Sequence, residues 1–176
     1  EIYYFVCDNY PKEKTEDLMI KGTNRLLPLM VILFLAAACI RNVVFTDTAD
    51  IKGNTWALAD IPSFTVPVDD TLSNHDISFL IRTGSSYPFR NIYFFVTTTS
   101  PDGQSITDTL QYELADEKGN WYGRGFGDIH ELRLPYRNNV FFPMKGDWRI
   151  DIQHGMRVGD LRGVYDIGVR VELSQN

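Results

Sequence analysis

One cysteine carries the most specific chemistry in this sequence. Cys39 follows Ala36, Ala37 and Ala38, which close an uncharged run beginning at Leu26, and two cations, Lys21 and Arg25, precede that run. Basic, apolar, small and then cysteine is the order in which a bacterial lipoprotein signal is built. The leader is cut before the cysteine, and the exposed thiol takes a diacylglycerol. A bilayer-spanning helix needs about 20 apolar residues, whereas a secretory signal needs roughly 7–15 behind a positive segment, and the shorter description fits. The lipobox is displaced, because Leu35 stands one place further from Cys39 than usual and Ala36 fills its place. Ordinary signal-peptidase cleavage after Ala38 satisfies the same small-residue rule, so both routes stay open. Either one carries the downstream domain out of the cytoplasm. The reading divides the chain into residues 1–18, an upstream extension outside the natural start at Met19; residues 19–38, the signal peptide; residues 39–54, a lipidated cysteine and polar tether; and residues 55–176, one domain.

Other reactive residue types do not assemble into a recognisable constellation. His75, His130 and His154 fall in different segments with no second histidine at metal-ligand spacing, so they read as ordinary polar residues. Ser85 and Ser86 stand in G-S-S-Y-P, which lacks the strand–turn–helix setting of a nucleophile elbow. Asp69-Asp70 and Asp116-Glu117 are neighbours in segments expected to be loops, where adjacent side chains point apart instead of facing one substrate as glycosidase carboxylates must. Gly123, Gly125 and Gly127 form G-R-G-F-G without the strand-then-helix frame of a phosphate cradle. No catalytic, cofactor or metal role is assigned to any of them. Aromatics are the more suggestive feature: Trp121, Tyr122, Phe126, Tyr136, Phe141 and Phe142 crowd between Asn120 and Pro143. Exposed, they would form a surface for protein or sugar rings; buried, they would fill the core.

The formal net charge is −6, which leaves no cationic footprint for nucleic acid. Only Cys7 and Cys39 are present, so processing before Cys39 separates them and the domain folds without a disulfide. A chain of this length can do so, since its core is large enough.

The elements are strands. Ile77, Phe79 and Ile81 alternate with Ser78 and Arg82, giving one buried face. Arg90 to Thr99 is dense in β-branched and aromatic residues and reads as a central strand buried on both sides. Ser100-Pro101-Asp102-Gly103 is a turn, and Gln104 to Leu114 returns with Ile106, Leu110, Tyr112 and Leu114 on one face, so the pair is a hairpin. Trp121 to Gly127 reads as a glycine-rich connection, Ile129 to Leu134 as a strand stopped by Pro135, and Asn139 to Phe142 as a segment limited by Pro143. Trp148, Ile150 and Ile152 share a face, as do Ile167, Val169, Val171 and Leu173. Between Ile40 and Asp60 the polar residues suit a tether, with Val43 to Phe45 as an alternative first edge strand. Sustained helical periodicity is absent after Cys39. The expectation is an all-β antiparallel sandwich, Ig-like or jelly-roll-like.

The tail K-G-D-W-R-I-D-I-Q-H-G-M-R-V-G-D-L-R-G-V-Y-D-I-G-V-R-V-E, Lys145 to Glu172, resembles the end of the gliding-motility lipoprotein family GldH of the Bacteroidetes. The segment R-T-G-S-S-Y-P-F-R-N-I-Y-F-F-V, Arg82 to Val96, is similar to that family's other recognisable stretch. The resemblance implies a non-enzymatic envelope lipoprotein, tethered to a membrane through Cys39 and associated with the gliding machinery and its linked secretion apparatus. Ile40 after Cys39 then fits an outer-membrane lipoprotein facing the periplasm. The reading that competes with it is an envelope-anchored glycan-binding module, with Trp121, Tyr122, Tyr136, Phe141 and Phe142 as its surface.

Overall fold

The computed structural model describes residues 42–175. The extension, the signal peptide and Cys39 lie outside the described residues. Among the described residues eleven strands run in order: β1 (Val43–Asp50), β2 (Thr55–Ala57), β3 (Ser63–Val68), β4 (His75–Gly84), β5 (Asn91–Thr99), β6 (Ser105–Glu113), β7 (Arg124–Phe126), β8 (Ile129–Val140), β9 (Gly146–His154), β10 (Asp160–Arg162) and β11 (Val164–Leu173). Every pairing is antiparallel. They form a five-stranded sheet, β1-β11-β4-β8-β7, a four-stranded sheet, β3-β9-β5-β6, and a two-stranded pair, β10-β2.

Period-two alternation decides how the two large sheets meet. On β4 Ile77, Phe79 and Ile81 are buried, and their cross-strand partners on β11, Val171, Val169 and Ile167, are buried with them. On the other sheet Phe64 and Val66 of β3, Ile150 and Ile152 of β9, and Ile92, Phe94 and Val96 of β5 are likewise buried. Phe79 and Phe94 meet edge to face across the interior, ring centroids 5.9 Å apart. The sandwich expected from the sequence is therefore the observed architecture, with a single core between the sheets. Trp56 of β2 and Leu161 of β10 are inaccessible to solvent and join that core. The Trp56 indole keeps its one polar atom satisfied by donating from Nε1 to the Asp60 carbonyl at 2.8 Å.

Several local expectations are corrected. The polar stretch expected as a tether is mostly strand: β1 pairs with β11 from Val43 to Asp50, and Ile51 behind it is buried. As an edge strand, β1 tolerates Thr46, Asp47 and Thr48 because much of it faces water. The expected connection at Trp121 to Gly127 contains β7, which pairs with the start of β8. Pro135 does not end its strand, for β8 runs on to Val140, and Asn139 to Phe142 is not a strand of its own. The β7 pairing stops at Glu131; beyond it β8 has an edge at which a missing N–H is tolerated. A register shift there pairs Ile77 with Arg137 and Ser78 with Pro135, leaving Tyr136 as an extra, bulged residue. β5 is central, between β9 and β6, yet buried on one face only, since Tyr93 and Phe95 point to solvent. The hairpin forms as expected, in register from Asn91–Glu113 to Thr99–Ser105; Ile106 lies on the inward side but is 60% exposed, past the end of the core.

His75 and His154, read from the sequence as ordinary polar residues, sit in the interior. Both are buried, and His154 lies edge-on to Trp56 at 5.4 Å. The Trp56 backbone lies beside the His154 ring without hydrogen bonding either nitrogen. Burial holds the His154 pKa below its ordinary 6.5. The unfolded chain therefore binds this proton at a higher pH than the folded one, so the contribution is intact above about 6.5 and is lost as pH falls from there toward the depressed folded value. Urea midpoints are expected to drop between neutral and mildly acid pH, and His154→Leu is expected to flatten that dependence. A slope unchanged by the substitution counts against His154 as its source.

Candidate interaction surfaces

The five aromatic candidates do not share one surface. Phe142 is buried against His75 and Trp148, with centroids 5.3 Å from each. Tyr136 turns inward from its bulge and stacks on Phe79 at 4.9 Å. Trp121 is half-buried, stacked on His130 at 5.1 Å and edge-on to Tyr87 at 6.1 Å. Only Tyr122 and Phe141 are well exposed. Bulges and loops break the alternation through this segment, so sequence spacing there does not predict facing.

Along the side where β6 and β8 approach each other, polar side chains close the sandwich. Asp108 on β6 accepts from the Tyr136 hydroxyl at 2.7 Å and from Arg137 at 2.8 Å, and the Tyr112 hydroxyl donates to the Pro135 carbonyl at 2.8 Å. Burial pushes the Tyr112 phenol up to about 12. A carboxylate on an inward strand position is normally costly, but this one is ion-paired and hydrogen-bonded.

The outer face of the five-stranded sheet is charged, and its arginines are ion-paired around Asp166 and Glu172. Arg82 holds the buried Asp166 carboxylate through Nε and Nη2. Arg133 donates to the Ser78 hydroxyl at 2.9 Å and also binds Glu172, which Arg170 holds at 2.6 Å. Of the loop carboxylates singled out from the sequence, Asp70 and Asp116 are taken up by turns. The Ser73 hydroxyl first, and then the Leu72 and Ser73 amides that donate to Asp70 Oδ1, lower the Asp70 pKa to about 2. Asp116 accepts from the Lys118 and Asn120 amides and the Asn120 side chain, each at 2.8 Å.

One corner joins two distant stretches. The Gly84 amide donates to the Gly163 carbonyl at 2.8 Å, and Gly163 itself has φ of +79° with its backbone against that of Tyr87. Tyr87 is buried, donates its hydroxyl to the Asn91 carbonyl at 2.8 Å, and packs edge-on to Phe89 and Trp121.

The outer face of the four-stranded sheet differs from the other. Outward positions on β5 run Asn91, Tyr93, Phe95, Thr97 and Thr99, and two of them expose rings, Tyr93 at 37% and Phe95 at 41%. Two hollows flank these rings. The larger, about 620 Å³, is lined by Phe89, Tyr93, Gly155, Met156, Arg157 and Val158; the other, about 440 Å³, by Ile61, Phe95, Thr97, Thr107, Asp151 and Gln153. Sequence reasoning missed this surface although the signal was present: once Ile92, Phe94 and Val96 face in, period two sends Tyr93 and Phe95 out. Among the described residues, no group of three or more histidine, cysteine or acidic side chains is placed to hold a metal ion.

Comparison with known proteins locates the chain among relatives. The family model described as GldH lipoprotein matches residues 43–171. A protein named gliding motility lipoprotein GldH homolog, from Christiangramia forsetii, is 31% identical over 153 residues, covering 83% of this chain and 92% of that protein. The gliding motility lipoprotein GldH of Flavobacterium johnsoniae is 31% identical over 162 residues, covering 88% of this chain and 98% of that one. A solved structure, dimeric latent PorU from Porphyromonas gingivalis, aligns with 76% of this chain and 13% of its own at 12% identity and a TM-score of 0.31, too low to assign a shared fold.

Proposed function

The chain belongs to the GldH lipoprotein family, and we propose that it works as a gliding-motility lipoprotein, held in the cell envelope by acyl chains on Cys39. The observation that carries this reading is the extent of the match, which starts with β1 and ends within β11, so it takes in the whole sandwich rather than one motif. In this reading the protein is an accessory, non-catalytic part of the gliding machinery and its linked secretion apparatus, on an outer-membrane leaflet that faces the periplasm. A structural use for its reactive groups supports the non-catalytic part: Asp166 and Glu172 are committed to arginines, Asp70 and Asp116 to turns, and His75 and His154 to the core.

The anchor is tested by Cys39→Ala. One acyl chain gives only marginal binding, whereas the several on a mature lipoprotein cysteine hold it stably. The wild type is expected in the membrane fraction with a fatty-acyl mass adduct, and the variant in the soluble fraction. A variant that stays in membranes, or a wild type with an intact leader and no adduct, sinks the anchor. The accessory role is tested by cross-linking and recovery of the tagged protein from envelope fractions, where envelope components of the motility or secretion machinery are expected. Recovery of none counts against docking.

A further inference from the structure

We propose that the outer face of the four-stranded sheet is a saccharide-binding site, with Tyr93 and Phe95 as its stacking platform. This goes beyond the lipoprotein reading and stands or falls apart from it. A pyranose ring has two apolar C–H faces and a rim of hydroxyls, so its site needs aromatic faces next to fixed hydrogen-bonding groups. Both are here. Tyr93 and Phe95 are two residues apart on one face of β5 and so roughly 7 Å apart along the strand, and each borders its own hollow. Those hollows fall within the roughly 300–1,000 Å³ of ordinary ligand sites.

The polar groups of the hollow at Phe95 are held in place before any ligand arrives. The Gln153 amide donates to the Leu58 carbonyl at 2.8 Å, which fixes the plane of the amide and orients its oxygen. Asp151 is ion-paired with Arg149 at 3.1 Å, and the Thr97 and Thr107 hydroxyls bond each other at 2.9 Å. A preordered array lowers the entropic cost of binding a flexible, hydrated ligand. The rings are seated too. The Gly155 amide donates to the Tyr93 carbonyl at 2.6 Å, and a Cβ on Gly155 would approach a Phe95 ring carbon to 3.1 Å and the Tyr93 Cβ to 3.2 Å. Any side chain there would push against both platform residues.

The same observations favour sugar over a protein partner as occupant. The core of a protein interface is depleted of aspartate, but here Asp151 lines the hollow at Phe95 together with the hydrogen-bonding Thr97, Thr107 and Gln153. That alternation of apolar face and polar rim is the pattern a polyhydroxylated ring presents.

The experiment uses the full-length protein purified from whole cells in detergent, incubated with peptidoglycan sacculi, chitin, cellulose and mannan, with the bound fraction measured against polysaccharide concentration. At least one is expected to retain the wild type. Tyr93→Ala and Phe95→Ala should each weaken that binding on the order of tenfold, about 1.4 kcal/mol, through loss of the stacked ring. Tyr122→Ala, an exposed aromatic outside these hollows, should leave it unchanged, and thermal unfolding should confirm that all three variants fold. Retention by no polysaccharide, or equal retention of the wild type and both platform variants, overturns the proposal. So does loss of a cross-linked envelope protein in the platform variants without any polysaccharide binding, which would make the face a protein-docking surface.

Discussion

Replacing Arg82 with methionine is expected to cost about 2–4 kcal/mol of folding stability, and far more than replacing its partner Asp166 with asparagine. The asymmetry comes from burial. The Asp166 side chain is only 3% exposed, while the Arg82 side chain is 48% exposed. Truncating the arginine leaves a carboxylate out of water with no counterion, the situation in which breaking a buried pair costs about 3–5 kcal/mol. The expected cost is about 1 kcal/mol lower than that because water can enter the space that the half-exposed guanidinium vacates. Asp166→Asn instead leaves a cation that can turn to solvent, together with an amide that can still accept a hydrogen bond, so about 1 kcal/mol is expected. The double variant Arg82→Met, Asp166→Leu should recover most of the loss, since an apolar pair can replace a buried ion pair at little cost. Urea unfolding of the wild type, Arg82→Met, Asp166→Leu and the double variant gives the coupling energy directly. If Arg82→Met and Asp166→Asn cost the same, the pair behaves as a surface salt bridge.

That ion pair also bears on what the sequence made legible. Arg82 and Asp166 belong to the two stretches that carried the family resemblance, and the register of β4 on β11 sets them opposite each other. The resemblance marked both stretches without saying that they touch; a cross-strand contact between residues so far apart needs the sheet order, which alternation alone does not supply. Faces, by contrast, were readable wherever one side of a strand is fully covered, as on β4, β9 and β11. They failed at β1, an edge strand whose polar residues look like a linker, and at β8, where the bulge at Tyr136 resets the alternation and free backbone makes Pro135 harmless. The surface aromatics were misplaced for the same reason. Residues 121–142 lie largely in loops and bulged strand, whereas Tyr93 and Phe95 sit on regular strand and were obscured only by the assumption that a strand rich in rings is buried on both sides.

The corner where these stretches meet yields the other large effect: Gly163→Ala should destabilise the protein by about 3 kcal/mol. Two causes add. With φ at +79°, Gly163 occupies a backbone region that costs an L-residue roughly 1–2 kcal/mol. An added Cβ would also press on the Tyr87 amide nitrogen and stand 2.6 Å from its Cα, and backbone cannot swing aside as a flexible side chain can, so overpacking adds about 1–3 kcal/mol. Relief requires moving the Gly84–Tyr87 turn away from β11. That movement would break the Gly84 amide bond to Gly163 and lift Tyr87 from its packing on Trp121. The variant should therefore show not only a lower urea midpoint but also an altered near-ultraviolet circular dichroism signal from the displaced aromatics. Gly159→Ala is the control, because an added Cβ there meets nothing within 4 Å; it should be neutral or slightly stabilising through the unfolded chain. Equal stabilities for the two alanine variants would mean that the turn yields freely, and that the two stretches meet without locking each other in place.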